Sequence, residues 1–148
     1  MPHEYYKVIW VDSEIKSLEN QIYHKMFQEL GYTGFQGIES VDKFTEFLDD
    51  DLVKDNVLVI TSGTLAKVMI PLITAQLRKK VQRIIIFCRS LDYHFKWKES
   101  HPKLVLAVTN NFALLTKEFN NCIRQIEKET AKRYEINYSE SQSDFLDQ

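Results

Sequence analysis

The chain has 148 residues, 44% hydrophobic and 27% charged, with a formal net charge of -2 at pH 7. This is the size and balance of one globular domain with its own core, and the interleaved charges give no general attraction to nucleic acid or anionic lipid. The apolar runs are far short of the ~20 residues of a membrane span, Met1-Pro2-His3-Glu4 lacks the regions of a signal peptide, and Cys88 and Cys122 stand apart without metal-ligand spacing; a cytoplasmic protein with reduced thiols, no membrane partner and no cofactor is expected.

Along the chain the hydrophobic period switches between short apolar runs and amphipathic stretches, the pattern of alternating strands and helices. Lys7-Val8-Ile9-Trp10-Val11 reads as a buried strand. Ser13 or Ser17 then caps a helix whose Leu18, Ile22, Met26, Phe27 and Leu30 fall at helical spacing and are expected to face the core, with Gly31 as its stop. Tyr32 to Ile38, with glycines at 34 and 37, is a weaker strand, and Ser40 caps a helix over Val41 to Leu48 with Val41, Phe44, Phe47 and Leu48 on one face. The acidic run Asp49-Asp50-Asp51 reads as a solvated loop.

Val57 to Ile60 is the third strand, and Thr64 to Lys80 a helix that Pro71 should break near Ile70, because proline offers no N–H and crowds the preceding turn. Arg83 to Cys88 has the continuous β-branched character of a strand covered on both faces. Tyr93 to Glu99 suits a short helix and Lys103 to Val108 a fifth strand; Asn111 caps a long helix using Phe112, Leu115, Phe119, Cys122, Ile123 and Ile126. Five such units with right-handed crossovers predict an α/β fold, a doubly wound five-stranded parallel sheet of order 2-1-3-4-5. The domain is expected over residues 1–130, and the polar, acidic 131–148 segment is expected to be a flexible tail or linker.

In such a fold ligands sit outside the carboxyl ends of the strands, which directs attention to Asp12-Ser13, Thr61-Ser62-Gly63-Thr64, Cys88-Arg89-Ser90 and Thr109-Asn110-Asn111. Val8-Ile9-Trp10-Val11-Asp12 and the five-unit layout resemble the receiver domain of two-component signalling over most of the chain. Receivers use an acidic pair after strand one, a phosphoacceptor Asp ending strand three, a hydroxyl after strand four and a Lys after strand five. Here only Asp12 corresponds: Ser13 replaces its neighbour, Ile60 or Thr61 stands at the acceptor position, Cys88 takes the hydroxyl position, and Thr109-Asn110 replaces the Lys-Pro pair. The resemblance therefore implies a pseudo-receiver: a non-catalytic signalling or regulatory module acting through a protein partner or self-association. Trp10-Val11-Asp12, Ile60-Thr61-Ser62-Gly63, Pro71 and Ile85-Ile86-Phe87-Cys88 are also similar to an uncharacterised α/β module of multidomain protist and rotifer proteins, which implies the same kind of attached interaction domain. TIR domains share the topology, but no counterpart of their catalytic Glu stands out.

The competing reading is a site for a small anionic ligand or nucleotide built from Asp12, Ser62, Gly63 and Thr64, where backbone N–H groups open a helix; the plainer reading of Ser62-Gly63-Thr64 is a helix cap with a tight turn. The Walker and dinucleotide glycine patterns are missing. Tyr93, Phe95 and Trp97 alternate with His94, Lys96 and Lys98 and form either an interface around the fourth helix or the packing of a short edge element. His3, His24, His94 and His101 are scattered and suggest no catalytic arrangement.

Overall fold

Four apolar runs and one shorter, more polar run are strands in the computed structural model, which describes residues 6–30, 35–49 and 57–146, with side chains to position 132. They are β1 (Lys7–Val11), β2 (Gln36–Ile38), β3 (Val57–Ser62), β4 (Val81–Phe87) and β5 (Val105–Thr109), and they alternate with α1 (Leu18–Glu29), α2 (Val41–Asp49), α3 (Gly63–Leu72), α4 (Leu91–Ser100) and α5 (Phe112–Leu146). All pairings are parallel, in the order β2-β1-β3-β4-β5, with Ile9 beside Val59 and Val59 beside Ile84. This is the flavodoxin-like order that the sequence predicts. The chain leaves β1 in one direction to reach β2 and crosses back over it to β3, so the carboxyl ends of β1 and β3 open a crevice at the switch of direction.

Alternation along each strand divides the core in two. Ile9, Val11, Val59, Ile84 and Ile86 meet Phe44 and Leu48 of α2 and Ala66, Met69 and Ile70 of α3, with Trp97 of α4 packed against them. Val8, Trp10, Leu58, Ile60 and Ile85 meet Phe27 of α1 and Leu115, Phe119 and Ile123 of α5. At about 1.5–3 kcal/mol for each large apolar side chain fully buried, these two layers supply the main driving force for folding. Trp10 lies at the centre of the second layer, stacked on Tyr23 at 6.0 Å and edge-on to Phe87 at 5.7 Å.

Helix α1 departs from the expected orientation. Ser17 caps it, accepting the Asn20 N–H at 3.2 Å, but of the five predicted core residues only Phe27 is buried. Leu18, Ile22, Met26 and Leu30 are 76%, 53%, 43% and 50% exposed. The inward face instead carries Asn20, Tyr23, His24 and Phe27. Asn20 is accommodated because its side-chain amide donates to Glu14 O at 2.7 Å and to Asp12 Oδ2 at 3.3 Å, and Tyr23 because its ring stacks on Phe112 at 4.7 Å. Ring stacking and satisfied hydrogen bonds outweigh the simple count of aliphatic residues.

Pro71 does not break the helix at Ile70. Helix α3 runs through it to Leu72 and then widens into a π-helical turn, Ile73–Leu77, where the Thr74 hydroxyl lies 3.0 Å from both the Ile70 and Pro71 carbonyls. The helix thus passes Pro71 in α-helical form, and the widened turn begins two residues beyond it. Helix α5, capped by Asn111 Oδ1 accepting from Ala113 N at 2.9 Å and Leu114 N at 3.2 Å, continues to Leu146 through the stretch expected as a tail. No Gly or Pro interrupts 112–146, and a helix anchored by a packed first half extends at little cost per residue. Gly31, Gly34 and most of the acidic run at 49–51 lie outside the described residues.

Candidate functional site

The loops after β1, β3, β4 and β5 enclose an open crevice of about 640 Å³ at the carboxyl rim of the sheet. Asp12, Ser62, Gly63 and Thr64, the residues singled out by sequence, all line it, together with Arg89 and His94. The strand ends bring these groups together, and what each can do depends on how its polar atoms are already used.

Asp12 is engaged in shaping the β1–α1 turn. Its Oδ1 accepts the Glu14 N–H at 2.9 Å, its Oδ2 accepts from Asn20, and its own N–H donates to Ile38 O at 3.0 Å. Ser62 is the N-cap of α3, its hydroxyl accepting the Leu65 N–H at 3.3 Å. The first N–H groups of a helix have no intrahelical acceptor; Ser62 serves that of Leu65, and the parallel register that pairs Ser62 with Phe87 turns the Gly63 N–H toward β4.

At the end of β3, Thr61 is fully buried, its hydroxyl 3.1 Å from Ser62 O and 3.3 Å from Met69 Sδ. The neighbouring Ile60 is fully buried in the opposite layer. Cys88, after β4, is half-buried and donates its backbone N–H to Thr109 O at 3.0 Å; burial pushes its thiol pKa up, away from the reactive thiolate. Among the described residues no group of three or more His, Cys, Asp or Glu side chains is placed to hold a metal ion.

The residue that sequence reasoning passed over is His94. It is 6% exposed, on the inward side of α4, and its Nδ1 is buried without a hydrogen-bond partner among the described residues. Its other edge presses on the start of α3: a Cβ built on Gly63 would come within 2.5 Å of His94 Nε2, 2.8 Å of its Cδ2 and 2.9 Å of Cys88 Cβ. The lone late glycine marks this close approach, yet sequence alone does not say what approaches. Burial, and then the charges of Lys67 and Lys96, hold the imidazole pKa below its usual value, so the ring is neutral at pH 7. The crevice therefore has two sides, with Asp12, Glu14 and Glu19 around the start of α1, and the α3 N-terminus with Arg89 and His94 opposite.

Tyr93, Phe95 and Trp97 do not form one patch. Tyr93 and Phe95 are 48% and 46% exposed, whereas Trp97 is half-buried against the first core layer. Lys96 Nζ covers both Tyr93 (4.3 Å) and Trp97 (5.1 Å), while Phe95, two residues on and across the helix, meets Lys98 at 6.0 Å. Comparison with known proteins adds no assignment: no family model, no curated protein and no solved structure matches the chain.

Proposed function

We propose that this chain is a receiver-like interaction module that acts by pairing with a second copy of itself through α1, without phosphoryl transfer of its own. The observation that carries this reading is the exposed apolar row Leu18–Ile22–Met26–Leu30, four residues spaced by four along one helix. Such a row is a ridge of the kind that fits between the ridges of another helix at a crossing of about -50°. A ridge of ~18 Å, at 1.5 Å per residue, packs against its own copy about a two-fold axis without needing a different surface. These four side chains offer roughly half of the ~800 Å² that each partner buries in a standard interface, and the stems of Gln21, Lys25 and Glu29 lie beside them to supply the rim.

Support for the second half of the reading lies at the end of β3, where Ile60 and Thr61 are buried and offer no carboxylate to accept a phosphoryl group. Sedimentation over a wide concentration range is expected to give a monomer–dimer equilibrium, and Ile22→Glu to shift it toward monomer by at least about tenfold, the effect of ~1.4 kcal/mol. A chain that stays monomeric at every concentration, or an I22E variant that dimerises as well as the parent, overturns the self-association. Stable labelling from acetyl phosphate overturns the non-catalytic part.

A further inference from the structure

The apolar row on α1 carries a sulfur atom at its third position, which gives the proposed pairing, on which this control rests, a chemical switch. We infer that Met26 is a site of reversible oxidation by hydroperoxides, and that its sulfoxide keeps two copies of the chain apart.

The sulfur atoms of the described residues differ in access and in chemistry. Met69 is fully buried, and its sulfur lies 3.3 Å from the Thr61 hydroxyl. Cys88 and Cys122 are half-buried, and burial raises both thiol pKa values, so the thiolate that peroxides attack fastest is disfavoured at each. Met26 is 43% exposed, between Ile22 and Leu30 on the outer side of α1. A thioether has no proton to lose, so its lone pairs meet an oxidant at any physiological pH.

In the oxidation, a lone pair on Met26 Sδ attacks the hydrogen-bearing oxygen of the peroxide. The S–O bond forms as the O–O bond breaks, and the proton of the attacked oxygen passes to the departing one, which leaves as water or an alcohol. Sulfur gives up two electrons and the peroxide takes them. Methionine sulfoxide reductase runs the return step, in which two thiols close to a disulfide and the oxygen leaves as water.

The product is polar where the thioether was apolar. In a paired state the sulfoxide oxygen would lie among Leu18, Ile22 and Leu30 and their copies, whose side chains offer no hydrogen-bond donor. On a separated copy the same oxygen faces water. Oxidation therefore favours separation, because a buried acceptor without a partner costs free energy that the exposed one does not. Pairing in turn covers the sulfur, so peroxide acts on separated copies and a high chain concentration protects Met26.

The test treats the full chain with hydrogen peroxide over the concentration range in which it pairs, with peptide masses locating the added oxygen and sedimentation reading the pairing. Met26 is expected to gain oxygen at least about tenfold faster than buried Met69, and more slowly as the chain is concentrated. The oxidised chain is expected to pair at least about tenfold more weakly, and methionine sulfoxide reductase with dithiothreitol to restore it. Met26→Leu keeps the volume and the apolar character, and is expected to pair as the parent does before and after peroxide. Oxidation of Met26 no faster than that of Met69, an oxidised chain that pairs as before, or an M26L variant that peroxide separates as it does the parent overturns the inference. A parent chain already monomeric before peroxide overturns the pairing through α1 and this control with it, whereas a pair that survives complete Met26 oxidation overturns the control alone.

Discussion

Replacing Gly63 by alanine sets two effects against each other at one atom. Gly63 lies at the first position of α3 in a helical backbone, where alanine normally stabilises by up to about 1 kcal/mol. Against this, the new methyl would stand 2.5 Å from His94 Nε2 and 2.9 Å from Cys88 Cβ, well inside van der Waals contact. His94 is buried and cannot swing into solvent, and a Cβ is anchored to the main chain, so one or other helix must move. Overpacking of this kind costs roughly 1–3 kcal/mol, and the net expected destabilisation is ~1–2 kcal/mol, a fall of roughly 3–6 °C in melting temperature for a chain of this size. Urea unfolding of G63A, H94A and the double variant closes a cycle in which the His94 part of the clash appears as a coupling of about 1 kcal/mol. A G63A variant as stable as the parent, or additive single effects, would refute the close approach on which the rim geometry rests.

The reversed face of α1 predicts that Phe27→Ala costs about 3–5 kcal/mol in chemical unfolding while Leu18→Ala stays within about 0.5 kcal/mol; comparable losses would restore the aliphatic face to the core. Burial lowers the pKa of His24, and burial with Lys67 and Lys96 lowers that of His94, so below about pH 6.5 the unfolded chain takes up more protons than the native one. Stability is then complete above that pH and declines on acidification, and the urea midpoint should drop between about pH 7.5 and about pH 5.5; a flat or rising midpoint contradicts the assignment. Asn111→Ala removes the acceptor of the Ala113 and Leu114 N–H groups and should cost about 1 kcal/mol by the same measurement, an unchanged midpoint meaning that the cap contributes nothing.

The sheet was legible because a strand covered on both sides has to be apolar throughout: Val57 to Ile60 and Ile84 to Ile86 carry no alternation to misread. The gathering of Asp12, Ser62, Gly63 and Thr64 at one rim followed from the same topology. The face of α1 was not legible, since Asn20 becomes an inward residue only through Glu14 O and Asp12, partners on the preceding turn. His94 escaped notice for a related reason. A histidine between Tyr93 and Phe95 on a short helix carries no local sign that it meets a glycine 31 positions earlier (94 − 63) across the rim.

The widened turn after Pro71 governs how the chain re-enters the sheet. One residue more per turn rotates everything downstream by about 100° around the helix axis. That rotation returns Leu77 to the first core layer and aims Arg78 forward, where its guanidinium donates to the carbonyls of Val81 at 2.8 Å and Lys103 at 3.3 Å while Lys80 reaches the Leu48 carbonyl. Side chains within Ile73–Leu77 can therefore be exchanged for others of like volume, but the number of residues there sets the angle at which β4 starts. Chain length, more than composition, is what this crossover demands.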